Sequence, residues 1–128
     1  MAPSHRQGVR HSYPRSARVN ALLHEVLAER IESLSDSDER LSMLTITAVH
    51  CEPDLRHATV YLASLSEAAD KALEEHRKQL QGVLGKQVRL KRIPVLSFVV
   101  DPAIVAAERV EEALRRVRSQ PPTDGEEN

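Results

Sequence analysis

Residues 49–61, which form the stretch VHCEPDLRHATVY, decide the fold of this chain. Pro53 and Asp54 predict a turn at its centre, because proline fixes φ and aspartate can hydrogen-bond to its own backbone. Residues 41–51 before the turn are rich in Leu, Ile, Val and Thr, and residues 58–64 after it resume β-like composition. The two segments therefore predict an antiparallel β-hairpin.

Alternation within the first strand assigns its side chains to two faces, since neighbouring residues of a strand point in opposite directions. The pattern predicts one face with Leu44, Ile46 and Ala48, and it places Thr45, Thr47 and Val49 on the other.

Helices are predicted on both sides of this hairpin. Residues 17–34 carry apolar side chains at three- and four-residue steps, which is typical of an amphipathic helix, and the polar residues 35–39 should end it in a loop. A second helical pattern starts near Ser66 and continues to Leu84. It fits one long helix or two short ones with a kink near residues 76–82, and Gly85 is a candidate C-cap.

A third strand is predicted over residues 88–100, strongest over residues 95–100. Asp101 and Pro102 are a suitable N-cap and first turn for a final helix. The apolar side of that helix would carry Ile104, Val105, Val110, Leu114 and Val117.

The predicted order is α-β-β-α-α-β-α, which indicates an α+β domain with a three-stranded sheet backed by helices. We expect a flexible basic arm over residues 1–16, one domain over residues 17–118 and a disordered acidic tail over residues 119–128. The arm also shares the acid-free, Arg- and Ser-containing composition of organelle transit peptides.

Composition narrows the functional classes. Aromatic residues make up only 2% of the chain, so base stacking on aromatic side chains is not expected to drive recognition. A single cysteine, Cys51, fits a buried apolar role and a reducing cytoplasm. Without a membrane-length apolar segment or a secretion signal, we expect a soluble cytoplasmic protein.

Charge is segregated along the chain although the net charge is only −1. The N-terminal region and residues 86–92 are basic and free of acids, whereas acids collect in residues 32–39 and at the C-terminus. Such segregation can produce a basic face on a nearly neutral protein.

Three motifs in register resemble the ribosome-binding factor A family. The first is Arg18–Val19 followed by the amphipathic helix, and the second is the hairpin sequence at residues 49–61. The third runs from Leu84–Gly85–Lys86 through residues 94–98 to Asp101, and the resemblance covers residues 18–118. It implies a type II KH-like fold and binding of the free 30S subunit late in assembly, in support of 16S ribosomal RNA maturation.

The resemblance implies no cofactor and no catalytic residue, and we expect a monomer without a membrane partner. The chain departs from the family at residues 76–78, where His-Arg-Lys replaces the usual Ala-x-Gly kink. A Gly-x-x-Gly sequence at residues 82–85 could form an RNA clamp. Its two middle residues are apolar, which favours a helix glycine and a C-cap around core residues.

The candidate RNA-binding residues are basic side chains that could approach phosphate and displace counterions: Arg15, Arg18, Arg77, Lys78, Lys86, Arg89, Lys91 and Arg92. The alternative is that these are ordinary solvated charges. A protein-interaction adaptor with incidental RNA contact, and more remotely an RNA-processing enzyme, are the competing functions.

No hydrolase, phosphate-loop or zinc-protease motif is present in the sequence, so we do not expect an enzyme. His50, Cys51 and His57 do not predict a metal site, because adjacent strand residues point to opposite faces.

Overall fold

The computed structural model describes residues 15–119. Helix α1 spans Arg15–Leu34 and is followed by a short 3-10 turn at Glu39–Leu41. Strands β1 and β2 span Ile46–Cys51 and His57–Leu62, helix α2 spans Glu67–Gln87, strand β3 spans Val95–Val100, and helix α3 spans Pro102–Ser119. The predicted arm and tail lie outside the described residues, except that Arg15 and Ser16 begin α1 and Ser119 ends α3.

The three strands form one sheet in the order β1-β2-β3. β1 pairs with β2 in an antiparallel ladder, which confirms the predicted hairpin. β3 pairs with β2 in a parallel ladder, and the long helix α2 makes the crossover that a parallel pair requires. The prediction of an α+β fold with a three-stranded sheet is confirmed.

The core is aliphatic, as the shortage of aromatic residues requires. Leucines from α1 and α2, including Leu27 and Leu73, are fully buried against Val60 and Leu96 of the sheet. Burial of each such side chain stabilises the fold by about 1.5–3 kcal/mol. Cys51 is also buried in this core, as expected for a small apolar residue.

The predicted alternation in the first strand is wrong at one point. The register shifts between Ile46 and Ala48, so that Ile46 and Val49 are both buried and Ala48 is exposed. An extra residue in one strand changes which side chains face the core, and the simple period of two cannot show it. The shift leaves His50 exposed and Cys51 buried, on opposite faces as expected.

Two predicted strands are too long at their N-terminal ends. β1 does not begin at residue 41, because residues 39–41 form the 3-10 turn. Asp38 caps this turn by accepting a hydrogen bond from the Arg40 N–H. β3 does not begin at residue 88 either. Val88 is instead the C-cap of α2, and its carbonyl accepts a hydrogen bond from the Leu90 N–H in a tight turn.

The second helical pattern forms one helix rather than two. Ser66 caps it by accepting a hydrogen bond from the Ala69 N–H at 3.0 Å, and the helix continues through residues 76–82 to Gln87. Gly85 lies inside this helix and is not its C-cap, which corrects the sequence-based assignment.

Helix α3 begins as predicted, with Asp101 accepting a hydrogen bond from the Ala103 N–H at 2.9 Å. None of its residues is buried, however. Val110, Leu114 and Val117 on its apolar side are 60%, 47% and 68% exposed. The core is therefore closed by α1, α2 and the sheet, and α3 contributes little to it.

Candidate nucleic-acid interface

One end of the sheet is formed by the last residue of β1 and the first residues of β2 and β3. Cys51 pairs with Ala58, and Ala58 pairs with Leu96, so the three strands lie side by side at this end. The hairpin turn also lies here, since the Glu52 N–H donates to the His57 carbonyl at 2.8 Å.

Helix α1 begins at the same end of the sheet. The side-chain oxygen Oδ1 of Asn20 accepts a hydrogen bond of 2.8 Å from the Cys51 N–H, which joins the first turns of α1 to the end of β1. Arg15 and Arg18 precede Asn20 on the helix, and both are exposed. The first basic segment is thus placed beside the sheet end.

Helix α2 ends there as well. Oε1 of Gln81 accepts a hydrogen bond from the Leu96 N–H at 3.2 Å, which holds the C-terminal part of α2 against the start of β3. A Cβ atom at Gly85 would lie 2.7 Å from Cδ1 of Ile93, so the absence of a side chain lets Ile93 pack on the helix. Residues 88–94 therefore fold back over the last turns of α2.

Six exposed basic side chains thus lie at one end of the domain, which we call the basic end: Arg15, Arg18, Lys86, Arg89, Lys91 and Arg92. The opposite end holds the 3-10 turn, the C-terminus of α1 and the N-terminus of α2, and it is rich in acids such as Glu32, Asp36, Glu39 and Glu67. The fold converts charge segregation along the chain into charge separation in space, which can steer a polyanion.

Arg77 and Lys78, the other two candidates, lie further along α2. Lys78 is exposed and precedes Lys86 by about 12 Å of helix. Arg77 is half-buried and forms an ion pair with Glu74 one turn earlier, while its Nε atom is buried without a hydrogen-bond partner. The structure thus places Lys78 on the exposed side of α2, whereas the Arg77 side chain pairs with Glu74 of the same helix.

Sequence reasoning did not select Arg56, although the structure places it at the basic end. Its carbonyl accepts a hydrogen bond of 2.9 Å from the Val95 N–H at the start of β3, and its side chain is 64% exposed. The available signal was an arginine within the predicted hairpin turn. Glu52 and Asp54 lie in the same turn, so the turn is not a basic segment.

Both glycines of the Gly-x-x-Gly sequence lie within α2. Of the residues between them, Leu84 is buried and Val83 is half-buried, as expected for core positions. The glycines are therefore part of a regular helix and do not form a loop that could close around a nucleotide backbone.

At the opposite end, the loop after α1 is joined to α2 by a network of charged groups. Arg40 donates to Oδ2 of Asp38 and to Oε1 of Glu75, each at 2.7 Å, and Nε2 of His76 lies 3.1 Å from Oδ2 of Asp38. His76 is the first residue of the segment that replaces the family kink. It connects α2 to this loop while the helix continues unbroken.

Hydrogen bonds from Arg40 hold the pKa of Asp38 well below its usual range, and the bond with His76 contributes in the same direction. The pKa of Glu75 is lowered mainly by its hydrogen bond from Arg40. Both carboxylates are therefore charged at neutral pH.

Within residues 15–119, no three His, Cys, Asp or Glu side chains are grouped so that they could hold a metal ion. Burial raises the pKa of the Cys51 thiol, which favours the protonated form. Among the helices of the described segment, none has the length and apolar character needed to span a membrane.

Comparison with known proteins agrees with this architecture. The family model described as "Ribosome-binding factor A" matches residues 15–114. Ribosome-binding factor A of Rubrobacter xylanophilus is 34% identical over 118 residues, which cover 89% of this chain and 93% of that protein.

Two structures from Thermus thermophilus are also similar. The crystal structure of ribosome-binding factor A from this organism has a TM-score of 0.62 and 34% identity, and the match covers 68% of this chain and 97% of that one. A Thermus thermophilus homology model, fitted into a cryo-EM map of a 30S–RbfA complex, has a TM-score of 0.54 and 35% identity over 65% of this chain and 91% of that one.

The fold and the charged sheet end define a small α+β protein of the KH-like class with an exposed basic surface. The family match extends over most of the chain, including every helix and strand except the last turn of α3. The chain belongs to the ribosome-binding factor A family.

Proposed function

We propose that this protein is a ribosome assembly factor that binds the free 30S subunit through its basic end and supports late maturation of 16S ribosomal RNA without catalysing it. The observation that carries the proposal is the convergence of two distant basic segments, at the start of α1 and after α2, on one end of the sheet. The fitting of a related Thermus thermophilus protein into a map of a 30S complex supports it.

The chemistry of the basic end fits the phosphate backbone of RNA. Its arginines and lysines are exposed, so they can reach phosphate oxygens without first leaving a buried pair. Each contact releases condensed counterions, and the planar guanidinium group can bind two phosphate oxygens at once. With only 2% aromatic residues, the chain should recognise backbone and shape more than stacked bases.

A binding role in maturation also fits the exposed side chains at this end of the sheet. Beside His50, Glu52, Asp54 and His57 of the hairpin, which are also exposed, this end carries the exposed Lys and Arg residues. These groups can hold an RNA segment in one conformation while other factors process it. The acid-rich opposite end would repel RNA and so fix the orientation of the bound protein.

The test is co-sedimentation of the purified protein with free 30S subunits and with assembled 70S ribosomes. The native chain should pellet with free subunits and only weakly with ribosomes, and the affinity should fall steeply with salt. Replacing Arg89, Lys91 and Arg92 by Glu should weaken binding by roughly 100-fold, from about 1 kcal/mol for each lost contact.

The matched control replaces three exposed arginines of α3, Arg115, Arg116 and Arg118, by Glu. It changes the net charge by the same amount and leaves the basic end intact. If both variants lose affinity equally, net charge rather than the basic end controls binding. A native protein that ignores 30S subunits would contradict the proposed function itself.

A second candidate function, a protein-interaction adaptor, is favoured by the exposed apolar side of α3. Its partner would be a protein of the small subunit that packs on Val110, Leu114 and Val117. Truncation after Ala106 separates the two functions. If RNA binding is the function, the truncated protein should keep its affinity for isolated 16S RNA and for 30S subunits. If the protein is an adaptor, the truncated protein should lose its affinity for 30S subunits and keep its affinity for isolated 16S RNA.

A further inference from the structure

We infer that Arg56 at the tip of the hairpin is an additional RNA-phosphate contact, and that Asp54 competes with the phosphate for it. This inference rests on the proposed function, because it extends the basic end with a residue from a third, independent segment of the chain. The turn separates β1 from β2 and is distant in sequence from both basic segments.

The backbone around Arg56 is held in place by several hydrogen bonds. The Arg56 carbonyl accepts from the Val95 N–H at 2.9 Å, and the Arg56 N–H donates to Oδ1 of Asp54 at 2.9 Å. The Leu55 N–H donates to the Glu52 carbonyl at 2.8 Å. The Cα atom of Arg56 is thus fixed next to the first residue of β3.

Leu55 shows that this turn is held by tertiary packing. Its φ of 62° lies in the left-handed region, which is unfavourable for a leucine. The side chain is half-buried and packs against the hydrophobic core. Core packing therefore maintains a backbone conformation that the local sequence disfavours, and it presents Arg56 at the sheet end.

The position of Arg56 relative to the other basic residues follows from its bond to Val95. Pro94 immediately precedes Val95, and Lys91 and Arg92 lie in the same connection. Arg56 therefore lies next to the segment that carries the second basic block, at the end of the sheet where β2 begins. An RNA strand that contacts Arg92 would pass close to the hairpin turn.

The side chain of Arg56 is available for such a contact. It is 64% exposed, and its Nε atom lies 3.8 Å from Oδ2 of Asp54, whose side chain is 59% exposed. An exposed pair at this distance is weak, because water screens the attraction and both side chains lose conformational freedom. A phosphate can replace the carboxylate as the partner of the guanidinium group, with Asp54 opposing it by like-charge repulsion.

The experiment compares Arg56→Gln with Arg116→Gln in binding to purified free 30S subunits over a range of salt. Arg116 is the matched control, because its Nη1 atom lies 3.7 Å from Oε2 of Glu112 and the two side chains are 69% and 63% exposed. Arg56→Gln should weaken binding about three- to tenfold and reduce the salt slope by about one contact. Arg116→Gln should change neither.

Asp54→Asn should change the affinity for 30S subunits in the opposite direction. Asparagine keeps an oxygen that can accept the hydrogen bond from the Arg56 N–H, while the negative charge is lost. Affinity for 30S subunits should rise about two- to threefold. A fall in affinity would contradict the proposal that Asp54 competes with phosphate for Arg56.

The outcomes distinguish this inference from the proposed function. If Arg56→Gln binds like the native protein while the Arg89, Lys91 and Arg92 variant loses affinity, the inference is wrong and the proposed function stands. If Arg56→Gln and Arg116→Gln weaken binding equally, the effect is one of net charge and the inference is also wrong. Thermal unfolding of both variants should match the native protein, because both side chains are exposed.

Discussion

Replacing Gly82 by Ala should stabilise the protein, whereas the same change at Gly85 should not. Both glycines lie in the interior of α2, where alanine is favoured over glycine by about 1 kcal/mol. A Cβ atom at Gly82 would meet nothing within 4 Å, so the full gain is available there. For a domain of this size, it corresponds to a rise in Tm of about 4–6 °C.

At Gly85 the same gain is opposed by Ile93. A new Cβ atom would lie 2.7 Å from Cδ1 and 3.3 Å from Cγ1 of Ile93, so the isoleucine side chain must move. Ile93 is 46% exposed and the nearest atom is the end of its side chain, so moving it should cost about 1 kcal/mol or less, and Gly85→Ala should gain little or nothing. In an Ile93→Ala background the obstacle is gone, and Gly85→Ala should again gain about 1 kcal/mol.

The assay is urea unfolding of the four single and double variants, followed by circular dichroism, with 30S binding measured in parallel. Equal effects of Gly82→Ala and Gly85→Ala would refute the packing of Ile93 on α2. Loss of 30S binding by a stable Gly82→Ala protein would show that RNA approaches the helix backbone there. The helical interpretation of the Gly-x-x-Gly sequence would then be incomplete.

Two further predictions concern stability. Asp38 has a lowered pKa in the folded protein, so the stabilisation that comes from its charged form is present above about pH 4 and is lost as pH falls toward its folded pKa. Asp38→Asn should therefore be less stable than the native protein at pH 7, and the difference between their urea midpoints should shrink at pH 3. An undiminished difference would mean that the charge is unimportant. Truncation after Ala106 should leave Tm within about 2 °C, because none of the residues it removes is buried. A large fall in Tm would show that α3 packs on the domain.

Local patterns were sufficient to predict most of the fold. The apolar periodicity of α1, the Pro53–Asp54 turn and the capping residues Ser66 and Asp101 all act over a few residues, and the structure confirms each of them. The register shift in β1 and the late starts of β1 and β3 were missed. They depend on pairing with β2 and on turns beside Asp38 and Val88, and neither of these can be read from a period of two.

The candidate site was predictable in composition but not in arrangement. The basic segments at the start of α1 and at residues 86–92 are visible in the sequence, yet only the sheet places them at one end. Arg77 is a different case, since its ion pair with Glu74, three residues earlier on the same helix, is a local contact that selection by charge alone did not consider. Arg56 lies in a turn with Glu52 and Asp54, and only the hydrogen bond from the Val95 N–H to its carbonyl places it near the second basic segment.

By itself, the sequence determined the types and order of the elements, the aliphatic character of the core, the segregation of charge and the resemblance to a family. Each of these depends on composition or on contacts between near neighbours in the chain. Only the tertiary structure shows that α2 is one continuous helix, that Val110, Leu114 and Val117 of α3 stay exposed, and that the basic segments lie at the same end of the sheet. These outcomes depend on which distant residues pack together, such as Ile93 on Gly85 and Asn20 on Cys51, and local periodicity contains no such information.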